Sequence, residues 1–287
     1  MVILHDLKPR FVVTAEIILP SVALQPFVHH YWVLKTAGIS MSNIILPDGC
    51  LHWMFHRKRA FDVDNISQGS IKASATGLYD QAIHISSTED VELITVFFHP
   101  YAAGAIMGMP CRELAFDNVD FESLESIGFK LLKRHVLDAD TTDEGITMIE
   151  DFILRQLVKT QGSPYMDRLQ KVFCLMKAKP EVRIDELASA ACLSERQFRR
   201  VFMDNVGMNP KQTQRLMRFR QATNEIIRSN PTSLDEVLYT NGYTDHSHFN
   251  HEFHDIVGIS PTEYLASLEK VRSRGVMPVY RSYHTQK

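Results

Sequence analysis

The sequence predicts an α+β protein with a β-rich first half and an all-helical second half. Three observations carry this expectation. Short apolar or alternating runs separated by turn residues fill the first hundred residues. Near Phe121 the apolar residues change to helical spacing. After Gln161-Gly162-Ser163-Pro164 a helix, turn and helix pattern occurs twice.

The strand candidates are Val12 to Leu19, Tyr31 to Leu34, Asn43 to Leu46, Leu51 to Phe55 and Val91 to Phe98. Turn residues such as Pro47-Asp48-Gly49 punctuate them. Several short strands in so short a stretch suggest a small sandwich or barrel. Ile127 to Val136 and Glu144 to Val158 follow as helices, the second marked by Ile146, Ile149, Ile153, Leu154 and Leu157. This divides the chain into residues 1–160 (sheet about 1–115, helices about 121–160), an all-helical domain over 165–268, and a basic tail over 269–287. Lys270, Arg272, Arg274, Arg281 and Lys287 make the tail basic.

A chain of 287 residues with 45% hydrophobic residues can build two cores. Its four cysteines, Cys50, Cys111, Cys174 and Cys192, lie far apart. That spacing argues against a disulfide framework or a compact zinc or redox motif. No apolar run is long enough to span a bilayer, and Asp6 and Pro9 spoil a signal-peptide reading. A reducing cytoplasm is therefore the expected compartment.

The net charge of −3 hides a sharp asymmetry. Ser194 to Arg228 holds eight basic residues against Glu195, Asp204 and Glu225. Ser229 to Glu269 has no Lys or Arg and seven acidic residues. A basic segment abuts an acidic, histidine-rich one, and a polyanion is the expected partner of the first.

The repeat is the strongest signal. One copy runs Ile184-Asp-Glu-Leu187-Ala188, Cys192-Leu193, Phe198, Phe202 and Gly207-Met-Asn-Pro210. The other runs Leu234-Asp-Glu-Val237-Leu238, Gly242-Tyr243, Phe249, Phe253 and Gly258-Ile-Ser-Pro261, with one residue inserted near Thr244. Ser194 with Gln197 and Ser233 with Glu236 have capping-box spacing. Gly207 and Gly258 suit helix stops, and Asn209-Pro210 and Ser260-Pro261 suit helix starts. Two short helices joined by a tight turn make a helix-turn-helix, whose second helix enters a DNA major groove.

These residues resemble the AraC/XylS transcription regulators over roughly Tyr165 to Leu268. Arg218-Phe-Arg-Gln-Ala222 is similar to that family's linker helix. Gly242 to Phe249 and Phe253 to Tyr264 are similar to its second unit. Phe98-His-Pro to Leu114 resembles a weaker motif of some of its sensor domains. The resemblance implies a cupin-like β-barrel followed by helices that often dimerise, then two helix-turn-helix units joined by a linker helix. Its implied partners are double-stranded DNA, a small-molecule effector, RNA polymerase and a second copy of the chain. No cofactor and no enzyme activity are expected, because no nucleophile, base and orienting group are proposed by any motif.

With Phe198 and Phe202 inward, Arg196, Arg199 and Arg200 fall on the outward arc, with Gln197 at its margin. An Arg reads guanine by two parallel hydrogen bonds. Lys211 and Arg215 are expected on phosphates. Arg218 reads equally as a DNA contact or a structural ion pair. In the second unit the matching outward positions are His246, Ser247, Asn250 and His251, and the family usually has Arg at His251. Glu252 and Asp255 would repel phosphate, so this half is expected to bind weakly. Leu238 stands where the family favours Ala, as at Ala188. His248, His251 and His254 have helical spacing for a metal pair or a pH response, although packing and plain surface polarity are the commoner uses.

In the first half, His52 and His56 would share a strand face. They could join His29, His30, His84 and His99, but no His-x-His metal pattern is present. Trp32, Trp53, Phe55 and Tyr79 are the candidate lining of an effector pocket, against the alternative that they are core.

Overall fold

The computed structural model describes residues 12–37, 40–63, 71–76, 79–114, 118–160, 164–229, 234–272 and 278–282. Its first half is built on nine strands: β1 Val12–Leu19, β2 Val28–Ala37, β3 Met41–Ile45, β4 His52–His56, β5 Asp62–Val63, β6 Ala73–Thr76, β7 Ile83–Ser87, β8 Glu92–Phe98 and β9 Asn118–Asp120. Three helices accompany them: α1 Ala103–Met107, α2 Ile127–Asp138 and α3 Thr142–Thr160. The second half follows as α4 Met166–Ala178, α5 Ile184–Ala190, α6 Glu195–Val206, α7 Pro210–Ser229, α8 Leu234–Thr240, α9 His246–Val257 and α10 Pro261–Arg272. A last strand, β10 Pro278–Ser282, comes after α10. No helix among the described residues is long and apolar enough to cross a membrane.

The strands form two sheets, ordered β10-β1-β2-β8-β4-β6-β9 and β3-β7-β5. No pairing among the described residues closes them into a barrel. Every pairing is antiparallel except β1 with β10, which is parallel in the register Ala15 to Pro278 through Leu19 to Ser282. Residues 278–282 were expected in a basic tail. They lie instead on the edge of the first sheet, whose bare backbone groups make it a ready template for strand addition.

Alternation along the strands gives the large sheet two apolar faces. Trp53, Phe55, Val33, Ile94 and Val96 face α2 and α3 and pack with Phe129, Ile149 and Ile153. Leu34, Leu93 and Trp32 face the small sheet and meet Phe61 and Ile85. The rings of Phe98, Phe121 and Phe129 stand edge-on to Trp53 at 4.8, 5.6 and 5.4 Å. Such pairs are worth about 0.5–1.5 kcal/mol each beyond area burial. Glu150, buried on α3, ties that helix to the sheet: its Oε1 accepts from Ser21 N–H at 2.9 Å and Tyr31 O–H at 3.1 Å.

His56 is buried at the end of β4, edge-on to Phe61. Burial, and then the Lys72 charge, lower its pKa to about 4. The unfolded chain therefore binds the extra proton between about pH 6.5 and pH 4, and stability falls as pH drops through that window. The full shift corresponds to about 3 kcal/mol. Urea melts of His56→Leu between pH 7 and pH 4 are expected to show a shallower loss of stability than wild type.

Candidate nucleic-acid interface

The first unit starts where α5 buries Leu187 and Ala188. The turn after it places Cys192 at φ 53°, a left-handed position that non-glycine residues seldom take. Ser194 then caps α6. Its Oγ accepts from Gln197 N–H at 3.4 Å, and Gln197 Oε1 accepts from Ser194 N–H at 3.2 Å. Gln197, a candidate DNA contact at the edge of the arc, thus spends its side-chain oxygen on the cap. Phe198 and Phe202 are fully buried, and Phe202 stacks on Phe173 of α4 at 5.6 Å. Fixing that face turns Arg196, Arg199 and Arg200 into solvent. Arg199 has only a loose, exposed pairing with Glu195 at 3.8 Å, a contact worth little in water. Gly207 ends the helix at φ 86°.

Asn209 caps the linker helix α7, its Oδ1 accepting from Gln212 N–H at 2.9 Å. Lys211 is exposed on the first turn. The two linker arginines are not free. Arg215 Nε donates to Glu252 Oε1 at 2.8 Å, and its Nη2 lies 3.6 Å from Asp255. Arg218 Nη2 donates to both Glu252 oxygens at 3.2 and 3.3 Å, and the guanidinium sits 4.9 Å above the Tyr243 ring. Glu252 is 6% exposed. Burial works against the Arg218 charge, but Glu252 and Tyr243 outweigh it and hold the guanidinium charged. Burial and then Glu252 push the Tyr243 phenol well above its usual range. One carboxylate therefore pins α9 to α7.

The second unit repeats the design with other chemistry. Val237 and Leu238 are buried on α8, so the bulkier Leu238 is accommodated in the core. Gly242 takes φ 77° in the turn, as Cys192 does in the first unit. The cap is Asp245, whose Oδ1 accepts from His248 N–H at 2.8 Å. That bond holds its carboxyl below the usual carboxylate range. Cys192 matches Gly242 at an offset of 50 and Ser194 matches Asp245 at 51, so the extra residue falls at Tyr243-Thr244. Ser233, expected to cap α8, lies outside the described residues. Phe249 and Phe253 are buried, which leaves His246, Ser247, Asn250 and His251 exposed. His246 is tied back to α8 by Asp235 at 2.6 Å, and His248 packs against Tyr243 at 5.2 Å. Among the described residues no three His, Cys, Asp or Glu side chains converge for a metal.

Between α7 and α9 runs an open groove of about 740 Å³, with Lys211, Arg215, His251 and Asp255 in its walls. The arrangement offers free guanidinium groups on α6 and a nearly neutral, acid-balanced surface on α9.

The effector candidates are not brought together. Trp53 and Phe55 fill the core under α2 and α3, Trp32 lies on the opposite face of the sheet, and Tyr79 is half-buried on the segment before β7. A histidine cluster gathers elsewhere: His29 and His30 at 2.7 Å, and His52 on Asp48 at 3.0 Å. Burial, then His29, lower the pKa of His30 to about 4.

Two outcomes check this geometry. Ser194→Ala is expected to cost about 1 kcal/mol in denaturant melts through loss of the cap. Glu252→Ala is expected to cost about 2–3 kcal/mol, because it strands two guanidinium groups on a partly buried face.

Residues 187–267 match the family described as helix-turn-helix domain, and residues 16–120 match a family described as a domain of unknown function. No curated protein matches the chain. Among solved structures, ToxT from Vibrio cholerae is 14% identical, with a TM-score of 0.43 over 79% of this chain and 98% of that one. The unsaturated-fatty-acid-bound form of ToxT is 12% identical, with a TM-score of 0.42 over 89% and 94%. The AraC-like transcriptional activator CuxR is 13% identical, with a TM-score of 0.29 over 68% and 78%. Residues 187–267 thus carry a helix-turn-helix domain, the part of the chain over which the sequence resembles the AraC/XylS transcription regulators.

Proposed function

We propose that the chain is a sequence-specific DNA-binding transcription regulator that reads duplex DNA chiefly through α6. The observation that carries this is the exposure of Arg196, Arg199 and Arg200 on the outer arc of a capped helix whose other face is locked in a core. Lys211 supports a phosphate contact at the start of α7. Arg215 and Arg218 join that contact only by leaving Glu252.

The second unit is a weaker reader. His246, Ser247, Asn250 and His251 offer hydrogen bonds with no permanent positive charge, and Asp255 stands beside them. One observation favours a different use of this unit: Tyr239 is 81% exposed on α8, beside exposed Asp235 and Glu236. An exposed aromatic among acids suits a protein partner, of which RNA polymerase is the one the family resemblance implies. A footprint covering one major groove per protomer would favour that use, and one covering two would favour DNA.

Residues 1–160 would control the regulator from the cytoplasm by shifting the population of DNA-competent states when an effector binds. They would also dimerise it. Ile127 and Leu131 on α2 and Leu154 and Val158 on α3 are large apolar side chains left exposed at helical spacing, which supports a helix-to-helix contact between copies.

Binding to genomic fragments across a salt series tests the reading. Arg199→Ala is expected to lose about 1–3 kcal/mol of discrimination between its preferred site and random DNA. Lys211→Ala is expected to weaken all sequences alike and to reduce the salt slope by about 1. Wild type that binds no fragment even at low salt overturns the DNA reading.

A further inference from the structure

Arg215 meets the second unit as it would meet a nucleic-acid backbone. Its Nε donates to Glu252 Oε1 at 2.8 Å, and its Nη2 lies 3.6 Å from Asp255 Oδ2. Nε and Nη2 form an edge of the guanidinium fork that takes two oxygens of one phosphate or carboxylate side by side. Here the two oxygens come from two carboxylates. Glu252 and Asp255 stand three apart on α9, so both lie toward one side of the helix. Arg218 Nη2, one turn further along α7, donates to both Glu252 oxygens and fixes that carboxylate where Arg215 meets it.

The outer part of this arrangement is open to solvent. Arg215 is 42% exposed and Asp255 60%, whereas Arg218 is 17% exposed. Arg215 and Asp255 border the groove between α7 and α9 together with Lys211 and His251. Lys211 precedes Arg215 by four residues and lies on the same face of α7. A duplex backbone that reaches Lys211 therefore passes Arg215, and finds that guanidinium already engaged by two anions. Glu181 borders the same groove and adds a third carboxylate to those a phosphate must approach.

We infer that Glu252 and Asp255 act as an internal stand-in for DNA phosphate: they compete for Arg215, and so limit how tightly the chain holds DNA of any sequence. The inference rests on the reading of the second half as a DNA-binding domain. Non-specific binding is supplied by phosphate contacts and by the counterions that they release. A guanidinium engaged by two carboxylates displaces a counterion from the duplex only after leaving them. The acids of α9 thus weaken the hold on random sequence without touching a base, and leave base reading to the arginines of α6.

The test titrates the full chain with a random-sequence duplex across a salt series. It compares wild type, Glu252→Gln and Asp255→Asn, each with and without Arg215→Gln. Glu252→Gln removes the charge and keeps the size of the side chain. Glu252→Gln is expected to raise affinity for the random duplex about threefold or more, and to steepen the salt slope by about 1. Asp255→Asn is expected to act in the same direction by less. Arg215→Gln is expected to cost about threefold more affinity beside Glu252→Gln than in wild type, because the two side chains are coupled. An equal cost in both backgrounds would mean that Glu252→Gln acts through net charge alone, and would overturn the inference. So would unchanged affinity and slope in a folded Glu252→Gln chain. Should that chain lose its fold, the exposed Asp255→Asn with Arg215→Gln decides by the same comparison. If wild type binds no duplex, the DNA reading fails. Elution of the same variants from immobilised heparin, a sulfated polyanion, then still decides whether the two acids withhold Arg215. Elution at higher salt for Glu252→Gln, lost again with Arg215→Gln beyond its cost in wild type, supports it, and equal shifts overturn it.

Discussion

The first helix-turn-helix has no core of its own. Phe198, Phe202 and Val206 are buried in the same apolar cluster as Trp53, Phe129 and Ile153, with Leu169 and Phe173 of α4 between them. Burial of apolar surface is non-directional, yet close packing makes it positional. Once the sheet and its covering helices are filled, α6 has one way to sit, and the direction of its three exposed arginines follows. The second unit buries Phe249, Phe253 and Tyr264 in a separate cluster to which the first half lends Leu46, Ile44 and Ala82 among the described residues. The two units share a sequence pattern but not a mode of support.

They also differ in what their charges are free to do. Counting basic residues from Ser194 to Arg228 overstates the charge available to a polyanion, because Glu252 engages Arg215 and Arg218. A guanidinium held at 2.8 Å by a carboxylate that is 6% exposed gives up that partner only at the cost of leaving the acid stranded. The same ion pairs make α7 and α9 one mechanical piece. Stiffness in the second unit is obtained with the charge that would otherwise hold DNA.

Much of this was legible because it is local. The repeat, the Ser194–Gln197 cap, the inward phenylalanines and the glycine stops are short-range features, and the structure has each where the spacing implied. Asp245 was equally readable as a cap, since an Asp stands directly before a helical pattern. Other features depend on partners far away in sequence. Nothing around Glu252 announces Arg215 and Arg218, and nothing around Glu150 announces Ser21 and Tyr31. The strand at Ala73–Thr76 is made of small residues with little β preference and exists because both faces are covered. The placement of the candidate aromatics was hidden for a similar reason. Period-2 alternation puts Trp53 with Phe55, but which face Trp32 joins depends on register between strands. Which strand lies beside which in the two sheets is likewise a matter of pairing rather than composition.

The parallel pairing of β10 with β1 has a consequence for how the protein is made. Ala15 and Pro278 are neighbours in the sheet but about 260 residues apart in the chain. A ribosome adding about 5–20 residues per second needs from about ten to fifty seconds to travel between them. Through that interval the outer side of β1 has no partner. The nascent chain must keep β1 from annealing to a neighbouring polypeptide until β10 has been translated.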